Sequence, residues 1–301
     1  MKEYTSSHYS HTPVFAEEIK QFFEKYTHKY IFDCTLGEGG HSEFFLESFL
    51  TNIFLVGIER DPVIFQKARK RLERFREKVE LINGSFSRLD VYFSRLHRPD
   101  PVTCILFDIG ISSFHVDESG RGFSFRKSEP LDMRFDPSDG ISAYEVVNGF
   151  TKEDLADIIY EYGEERNSRR IADLIVRSRK SGKIETSLDL AEIVLKAFPR
   201  RRYNRIHPAT RVFQALRIYV NNELEEFKLA LEKSVEILGS GGRIIVISYH
   251  SLEDRIVKRF FKSLSPENFK ILTKKPLRPS LEEIEKNRRS RSAKIRVLER
   301  K

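Results

Sequence analysis

The 301-residue sequence predicts an α/β fold, a doubly wound parallel sheet interrupted by an all-helical insertion. Three observations predict it. Apolar runs of strand length alternate with amphipathic helical stretches, the pattern of successive βαβ units. Acidic or glycine-rich positions directly follow the first, second and fourth runs. Near residue 117 this rhythm stops, and a long turn-rich segment and then consecutive helices take over.

In order, residues 14–26 carry Val14, Phe15, Ile19, Phe22, Phe23 and Tyr26 at helical spacing. At 31–41, IFDCTLGEGGH, Ile31 and Phe32 lead into Asp33, Gly37, Gly39 and Gly40. After His41 the pattern is helical, with Phe44, Phe45 and Phe49. This is strand, glycine-rich turn, helix. Such a turn lets the backbone approach a ligand, and the next helix start offers free N–H groups. Residues 53–58, IFLVGI, are continuously apolar, as in a parallel strand buried on both faces. They end at Glu59, and Pro62 opens a helix over 62–76 with Ile64, Ala68 and Leu72 inward. VELI at 79–82 is the third strand, followed by NGSF. VTCILF at 102–107 is the fourth, closing on Asp108.

Residues 117–142 are rich in Gly, Ser, Asp, Arg and Pro, and a loop of this length is usually functional or disordered. Thr151 and Asp154 have capping-box spacing ahead of Leu155, Ile158, Ile159 and Tyr162, with Gly163 as a stop. Helices are predicted at 166–180, at 187–198 before Pro199, from Pro208 through Phe213, Leu216 and Val220, and from Leu224 to Leu238, where Gly239, Gly241 and Gly242 end the last. RIIVISY at 243–249 restores the sheet, and 255–264 is helical. Residues 269–273 and 294–298 have strand character and can pair antiparallel, with NRRSRSAK between them expected to be mobile without a ligand. The expected division is a sheet domain of 1–116 and 211–301 and an inserted domain of 117–210.

Hydrophobic residues at 40% and charged ones at 33% are globular proportions, and no run approaches the roughly 18 apolar residues of a membrane span. The amino-terminal MKEYTSSHYSHTPVF lacks an apolar signal core, and Cys34 and Cys104 lie in apolar runs without metal-ligand spacing. Reduced thiols, a cytoplasmic location and no metal are expected. The net charge of +8 is concentrated at one end: residues 255–301 hold 16 Lys/Arg against 5 Asp/Glu, leaving −3 for the remainder. A second cluster, RRRYNR, spans 200–205. Such blocks favour a polyanionic partner.

In a doubly wound sheet the strand ends converge on one crevice. There an acid after strand two, Glu59, can accept both ribose hydroxyls of a nucleoside. Phe86 after strand three can cover an adenine, and Asp108 after strand four faces the reacting end. The turn GEGGHS places Ser42 where a dinucleotide fingerprint has its third glycine, and Asp33 ahead of it repels a pyrophosphate. An acid there suits the ammonium of S-adenosylmethionine, so a methyltransferase is expected rather than a dehydrogenase.

At this level the sequence resembles the MraW/RsmH family, bacterial S-adenosylmethionine-dependent 16S rRNA (cytosine-N4)-methyltransferases. The resemblance is carried by HTPVF (11–15), DCTLGEGGHS (33–42), GIERDP (57–62), NGSFS (83–87), FDIGISS (107–113), RGFSF (121–125), PLDMRFDP (130–137), YGEER (162–166), HPATRVFQALRIYVNNELEE (207–226) and SYHSLEDRIVKRFF (248–261). It implies a class I (Rossmann-like) methyltransferase fold with an inserted helical domain, and transfer to a cytidine N4 amine in the decoding region of 16S rRNA, within the small ribosomal subunit. The cofactor contacts it implies are Gly39, Gly40, His41, Glu59, Phe86, Asp108 and His115, beside Asp33 and Gly37 from the turn itself. Two positions depart from the family pattern. Glu59 stands where Asp is frequent and keeps the carboxylate on a longer arm. His115 stands where Gln is frequent and changes reach.

The exocyclic amine of cytosine is a weak nucleophile, so the protein must align amine, methyl and sulfur and exclude water. Asp108, backbone carbonyls in IGISS, Asp132 and His250 are the candidate acceptors for the amine, Asp108 foremost. The base must leave its stack to reach such a pocket. Phe123 and Phe125 are candidates to stack on it or to anchor their loop. Arg121, Arg126, Arg200, Arg201, Arg202, Arg205 and the C-terminal arginines are candidate phosphate contacts. Rival readings are an amine methyltransferase of DNA, whose D-P-P-Y-type motif FDIGISS does not match, a protein methyltransferase, and a non-catalytic RNA-binding factor. Oligomeric state, homodimer included, is left open.

Overall fold

The computed structural model describes residues 13–26, 29–49, 51–96, 101–198 and 207–301. The chain divides into two compact units, Met1–Gly110 with Phe227–Lys301, and Ile111–Glu226. The sequence placed these boundaries at 116 and 210, where the turn-rich segment starts and where Pro208 opens a helix. The structure moves them because the helix after Pro208 packs within the second unit.

The first unit starts with α1 (Ala16–Gln21), shorter than the apolar stripe predicted over 14–26. It continues through β1 (Lys29–Asp33), α2 (Gly40–Ser48), β2 (Ile53–Glu59), α3 (Pro62–Leu72), β3 (Val79–Asn83), α4 (Leu89–Leu96) and β4 (Val102–Asp108). These strands are parallel, with Asp33 beside Gly57 and Glu59 beside Asn83. Helix α3 starts where Asp61 accepts hydrogen bonds from Val63 N and Ile64 N at 2.8 and 3.3 Å, with Pro62 at the first helical position.

The second unit holds α5 (Ser113–Asp117), α6 (Ala143–Gly149), α7 (Lys152–Gly163), α8 (Ser168–Ser178), α9 (Ser187–Leu195) and α10 (Ala209–Asn221). The sequence reading missed α5 and α6, which are five and seven residues long and too short to show a periodic stripe. The Thr151–Asp154 capping box forms, with Asp154 N donating to Thr151 Oγ1 at 3.1 Å. Leu155, Ile159, Ile171, Ile175, Leu190, Val194, Val212 and Leu216 build this unit's own core. The close α7–α10 approach depends on Gly163, where a Cβ would lie 2.6 Å from the Arg211 carbonyl oxygen.

Asn222, left-handed at φ 51°, separates α10 from α11 (Glu223–Ile237). Then β5 (Leu238–Ser248), α12 (Ser251–Ser263), β6 (Phe269–Ile271), α13 (Leu281–Lys286) and β7 (Lys294–Arg300) complete the first unit. The glycines expected to stop α11 lie inside the irregular start of β5. Val102 pairs with Leu238 but Cys104 with Arg243, and a Cβ on Gly239 would meet Pro101 Cβ at 2.5 Å. The sheet order is β3-β2-β1-β4-β5-β7-β6, with β7 antiparallel to both neighbours. The predicted β6–β7 pairing is present. NRRSRSAK, expected to be mobile, carries a 3-10 helix at Arg288–Ser292, with Asn287 as its cap and Ser290 buried.

Side-chain alternation explains the two apolar layers of this unit. Phe32, Val56, Ile105, Phe107 and Val246 face α4, α11 and α12, while Ile31, Leu55, Leu106 and Ile245 face α1, α2 and α3. Each such fully buried side chain contributes about 1.5–3 kcal/mol relative to exposure. Among the described residues no helix is long and apolar enough to cross a membrane.

Candidate active site

The glycine-rich turn and the carboxyl ends of β1, β2, β3 and β4 lie along one edge of the parallel sheet. Gly39, at φ 83°, is the N-cap of α2, and a Cβ there would sit 3.3 Å from Leu72 Cδ1. A side chain would be strained and crowded at this position. No side chain caps α2, so its first N–H groups are not occupied by a cap.

Asp33 ends β1 and is buried. Ser42 Oγ donates to its Oδ2 at 2.6 Å, and Thr35 N to its Oδ1 at 3.3 Å. Burial pushes its pKa up, against the bonds donated by Ser42 Oγ and Thr35 N. Ser42, noted in the sequence only for replacing a glycine, is therefore the direct partner of Asp33.

Glu59 ends β2. Its Oε2 accepts from Gly37 N at 2.9 Å and its Oε1 from Asp61 N at 2.7 Å. One carboxylate thus ties the glycine-rich turn to the start of α3. Burial and, less, the charge of Asp61 raise its pKa to about 7 against these N–H groups. Phe86 opens a 3-10 turn after β3 and meets Phe107 edge-on at 5.9 Å. Lys233 Nζ donates to Ser87 O at 2.6 Å and so holds that turn.

Asp108 ends β4, with its side chain 17% exposed. Its backbone N donates to Thr35 Oγ1 at 2.6 Å, and Tyr249 Oη donates to its Oδ1 at 2.8 Å. Burial, then the Asp108 charge, push the Tyr249 pKa well above its ordinary value, so the phenol stays a donor. The other oxygen, Oδ2, lies 3.7 Å from His41 Nδ1. His41 Nε2 is 2.8 Å from Val14 O. Sequence reading missed Tyr249 and Thr35. Tyr249 lies in the quoted SYHSLED segment, and its bond to Asp108 spans 141 residues.

His250 caps α12. Its Nδ1 accepts from Glu253 N at 3.4 Å, and its Nε2 lies 2.9 Å from Glu253 Oε1. Both ring nitrogens thus face the buried Glu253, and the role the structure gives His250 is to start a helix.

His115 and Asp132 belong to the second unit. His115 accepts from Ser112 N through Nδ1 at 3.2 Å in the capping box of α5, and its ring lies 4.8 Å from both Phe123 and Phe135. Asp132 is engaged by Arg134, whose Nε and Nη2 donate to Oδ1 and Oδ2 at 2.8 Å each. Burial would raise the Asp132 pKa, but the bonds and charge of Arg134 outweigh it and hold it below its ordinary value. Between them Met133 is left-handed at φ 60°, tied down by Asn221 Nδ2 donating to its carbonyl at 2.7 Å. Arg121 Nη1 donates to the carbonyls of Arg134 and Phe135 at 2.9 and 2.8 Å, so it braces this loop. Arg126 is exposed. Phe123 is buried in the second unit's core, and Phe125 stacks on His207 at 4.5 Å and meets Phe213 at 5.1 Å, so both rings anchor their loop. Arg200, Arg201, Arg202 and Arg205 lie outside the described residues.

The sequence matches the profile of the MraW methylase family over residues 8–301. The chain belongs to the MraW methylase family. It is 47% identical over 294 residues to a ribosomal RNA small subunit methyltransferase H of Persephonella marina, covering 96% of this chain and 99% of the relative. It is likewise 47% identical over 292 residues to the protein of that name from Borrelia turicatae, covering 96% and 97%. A solved rRNA methylase from Streptococcus thermophilus aligns over 91% of this chain and 88% of its own, at 14% identity and a TM-score of 0.42, too distant to bear on the site. Membership agrees with the expectation of a class I methyltransferase fold using S-adenosylmethionine. The residues present fit that cofactor: uncapped helix N–H groups for its carboxylate, Glu59 for ribose hydroxyls, Phe86 for an adenine face, and Asp33, raised by burial, beside the turn for its ammonium.

Proposed function

We propose that this chain methylates the exocyclic N4 amine of a cytidine in the decoding region of small-subunit rRNA. The observation that carries this reading is the set of strand-end groups, Asp33, Glu59, Phe86 and Asp108, on one sheet edge in a chain whose curated relatives are small-subunit rRNA methyltransferases. S-adenosylmethionine, when bound, supplies a methyl group on a sulfonium with a neutral thioether as leaving group.

The chain's own part is placement. Gly39, Gly40 and the start of α2 receive the amino-acid end of the cofactor. Glu59 accepts its ribose hydroxyls, and Phe86 covers its base. Asp108 has Oδ1 occupied by Tyr249, which leaves Oδ2 to accept a hydrogen bond from an incoming amine and to keep the lone pair directed at the methyl carbon. Asp132 and His250 are not assigned this role, because Arg134 holds Asp132 in two hydrogen bonds and the His250 ring, accepting from Glu253 N through Nδ1, caps α12. In this reading the second unit recognises the substrate, with His115 as a further cofactor contact. Arg126 and the exposed Arg288, Arg289 and Arg291 contact phosphates.

The deciding experiment is mass mapping of 16S rRNA from cells with and without the gene. Loss of one methyl group from a decoding-region cytidine is expected, restored by the wild-type chain. An unchanged cytidine pattern overturns the assignment. Binding to the rRNA should also weaken steeply as salt rises.

A further inference from the structure

We infer that Glu283, on α13 and far from the strand ends in sequence, is a positioning residue for His41, acting through the backbone of Val14 and Phe15. Phe15 is a bulky residue in the left-handed region, at φ 58° and ψ 25°, and only 2% exposed. A phenylalanine rarely adopts that conformation, and it persists only where surrounding contacts enforce it. Two hydrogen bonds do so here. Phe15 N donates to Glu283 Oε1 at 2.7 Å across 268 residues of chain. Val14 O, one residue earlier, receives His41 Nε2 at 2.8 Å.

A carbonyl oxygen only accepts, so His41 Nε2 carries the hydrogen. In the neutral ring Nδ1 then presents its lone pair, 3.7 Å from Asp108 Oδ2. The strap at 14–15 thereby fixes both the tautomer and the orientation of His41. Among the described residues the second oxygen of Glu283 is buried without a hydrogen-bond partner, and burial raises the carboxyl's pKa against the bond from Phe15 N. The chain keeps a poorly solvated carboxyl and a strained phenylalanine together, and what they jointly hold is the Val14 carbonyl.

The inference rests on reading His41 as a cofactor contact, and three variants of the full chain separate the two. Asp at 283 keeps the charge but is one methylene too short. Gln keeps the reach and an acceptor oxygen. Glu283→Asp should weaken binding of S-adenosylhomocysteine about tenfold by calorimetry, the effect of one lost hydrogen bond, and raise the KM for the cofactor while kcat changes by less than about threefold. Glu283→Gln should stay within about threefold of wild type. In 15N spectra, the Nε2–H signature of His41, assigned with His41→Ala, should give way to a mixture of tautomers in Glu283→Asp only. Equal behaviour of the Asp and Gln variants, or an unaltered His41 signature in Glu283→Asp, overturns the positioning role. If His41→Ala binds S-adenosylhomocysteine as wild type does, the reading of the site itself fails and the inference with it.

Discussion

Two groups of carboxylates behave oppositely in this protein. At the strand ends of the first unit, buried Asp33 and half-buried Glu59 lie beside backbone N–H groups, with a hydroxyl on Asp33, and their affinity for protons rises. In the second unit Asp132 is gripped by both arms of Arg134, and its affinity for protons falls. A carboxylate with a bidentate guanidinium has used its charge within the fold. Carboxylates desolvated without a Lys or Arg partner are not committed to a cation within the fold, and a ligand that brings donors or positive charge would favour their ionised form. By this measure the chemistry belongs to the sheet edge, and the PLDMRFDP loop is an internally satisfied structure.

The largest test of that contrast is Asp108→Ala. Single-turnover methyl transfer should fall about 100-fold or more while the melting temperature stays within a few degrees, because Asp108 supports an incoming amine rather than a buried cation. Near-wild-type turnover would remove Asp108 from the mechanism.

A smaller effect is expected from pH. Glu59 must be ionised to accept hydroxyl protons, and its pKa stands at about 7. S-adenosylhomocysteine affinity should therefore fall below that pH, by up to about tenfold per unit. Glu59→Gln should bind more weakly and lose this dependence. The sign for stability is opposite to that of Asp132. A raised pKa stabilises the fold below the unfolded value and is lost as pH rises through about 7. A lowered one, as at Asp132, stabilises above the ordinary 3.8 and is lost as pH falls through the depressed value. Chemical denaturation across pH should show these opposite slopes as the difference between wild type and Glu59→Gln and between wild type and Asp132→Ala, each variant having lost its own slope.

The smallest catalytic effect should come from Asp132→Ala. Loss of the Arg134 pair should cost about 1–2 kcal/mol of stability, read as a shift in denaturation midpoint, with kcat reduced less than about tenfold. A kcat loss matching that of Asp108→Ala would erase the distinction between the two regions.

How much of the site could be read in advance varies by residue. The strand-end placement of Asp33, Glu59 and Asp108 was legible because a parallel strand buried on both faces must be a continuous apolar run, and the first polar residue after it marks the strand's carboxyl end. His115 and Asp132 could be named as candidates, but nothing nearby in sequence says that His115 caps α5 or that Met133 turns left-handed between Asp132 and Arg134. Phe123 and Phe125 had two readings, stacking or anchoring, and only their neighbours Phe135, His207 and Phe213 decided for anchoring.

The sequence by itself determined the order of strands and helices, the family, and the placing of acids after successive strands, because periodicity and turn chemistry are local. The tertiary structure decided how each acid is partnered and which way its proton affinity moves. Proton affinity depends on burial and on donors brought from far along the chain, such as Tyr249 to Asp108 across 141 residues and Glu283 to Phe15 across 268. It likewise inserted β7 antiparallel between β5 and β6, where backbone pairing rather than side-chain pattern selects the neighbour.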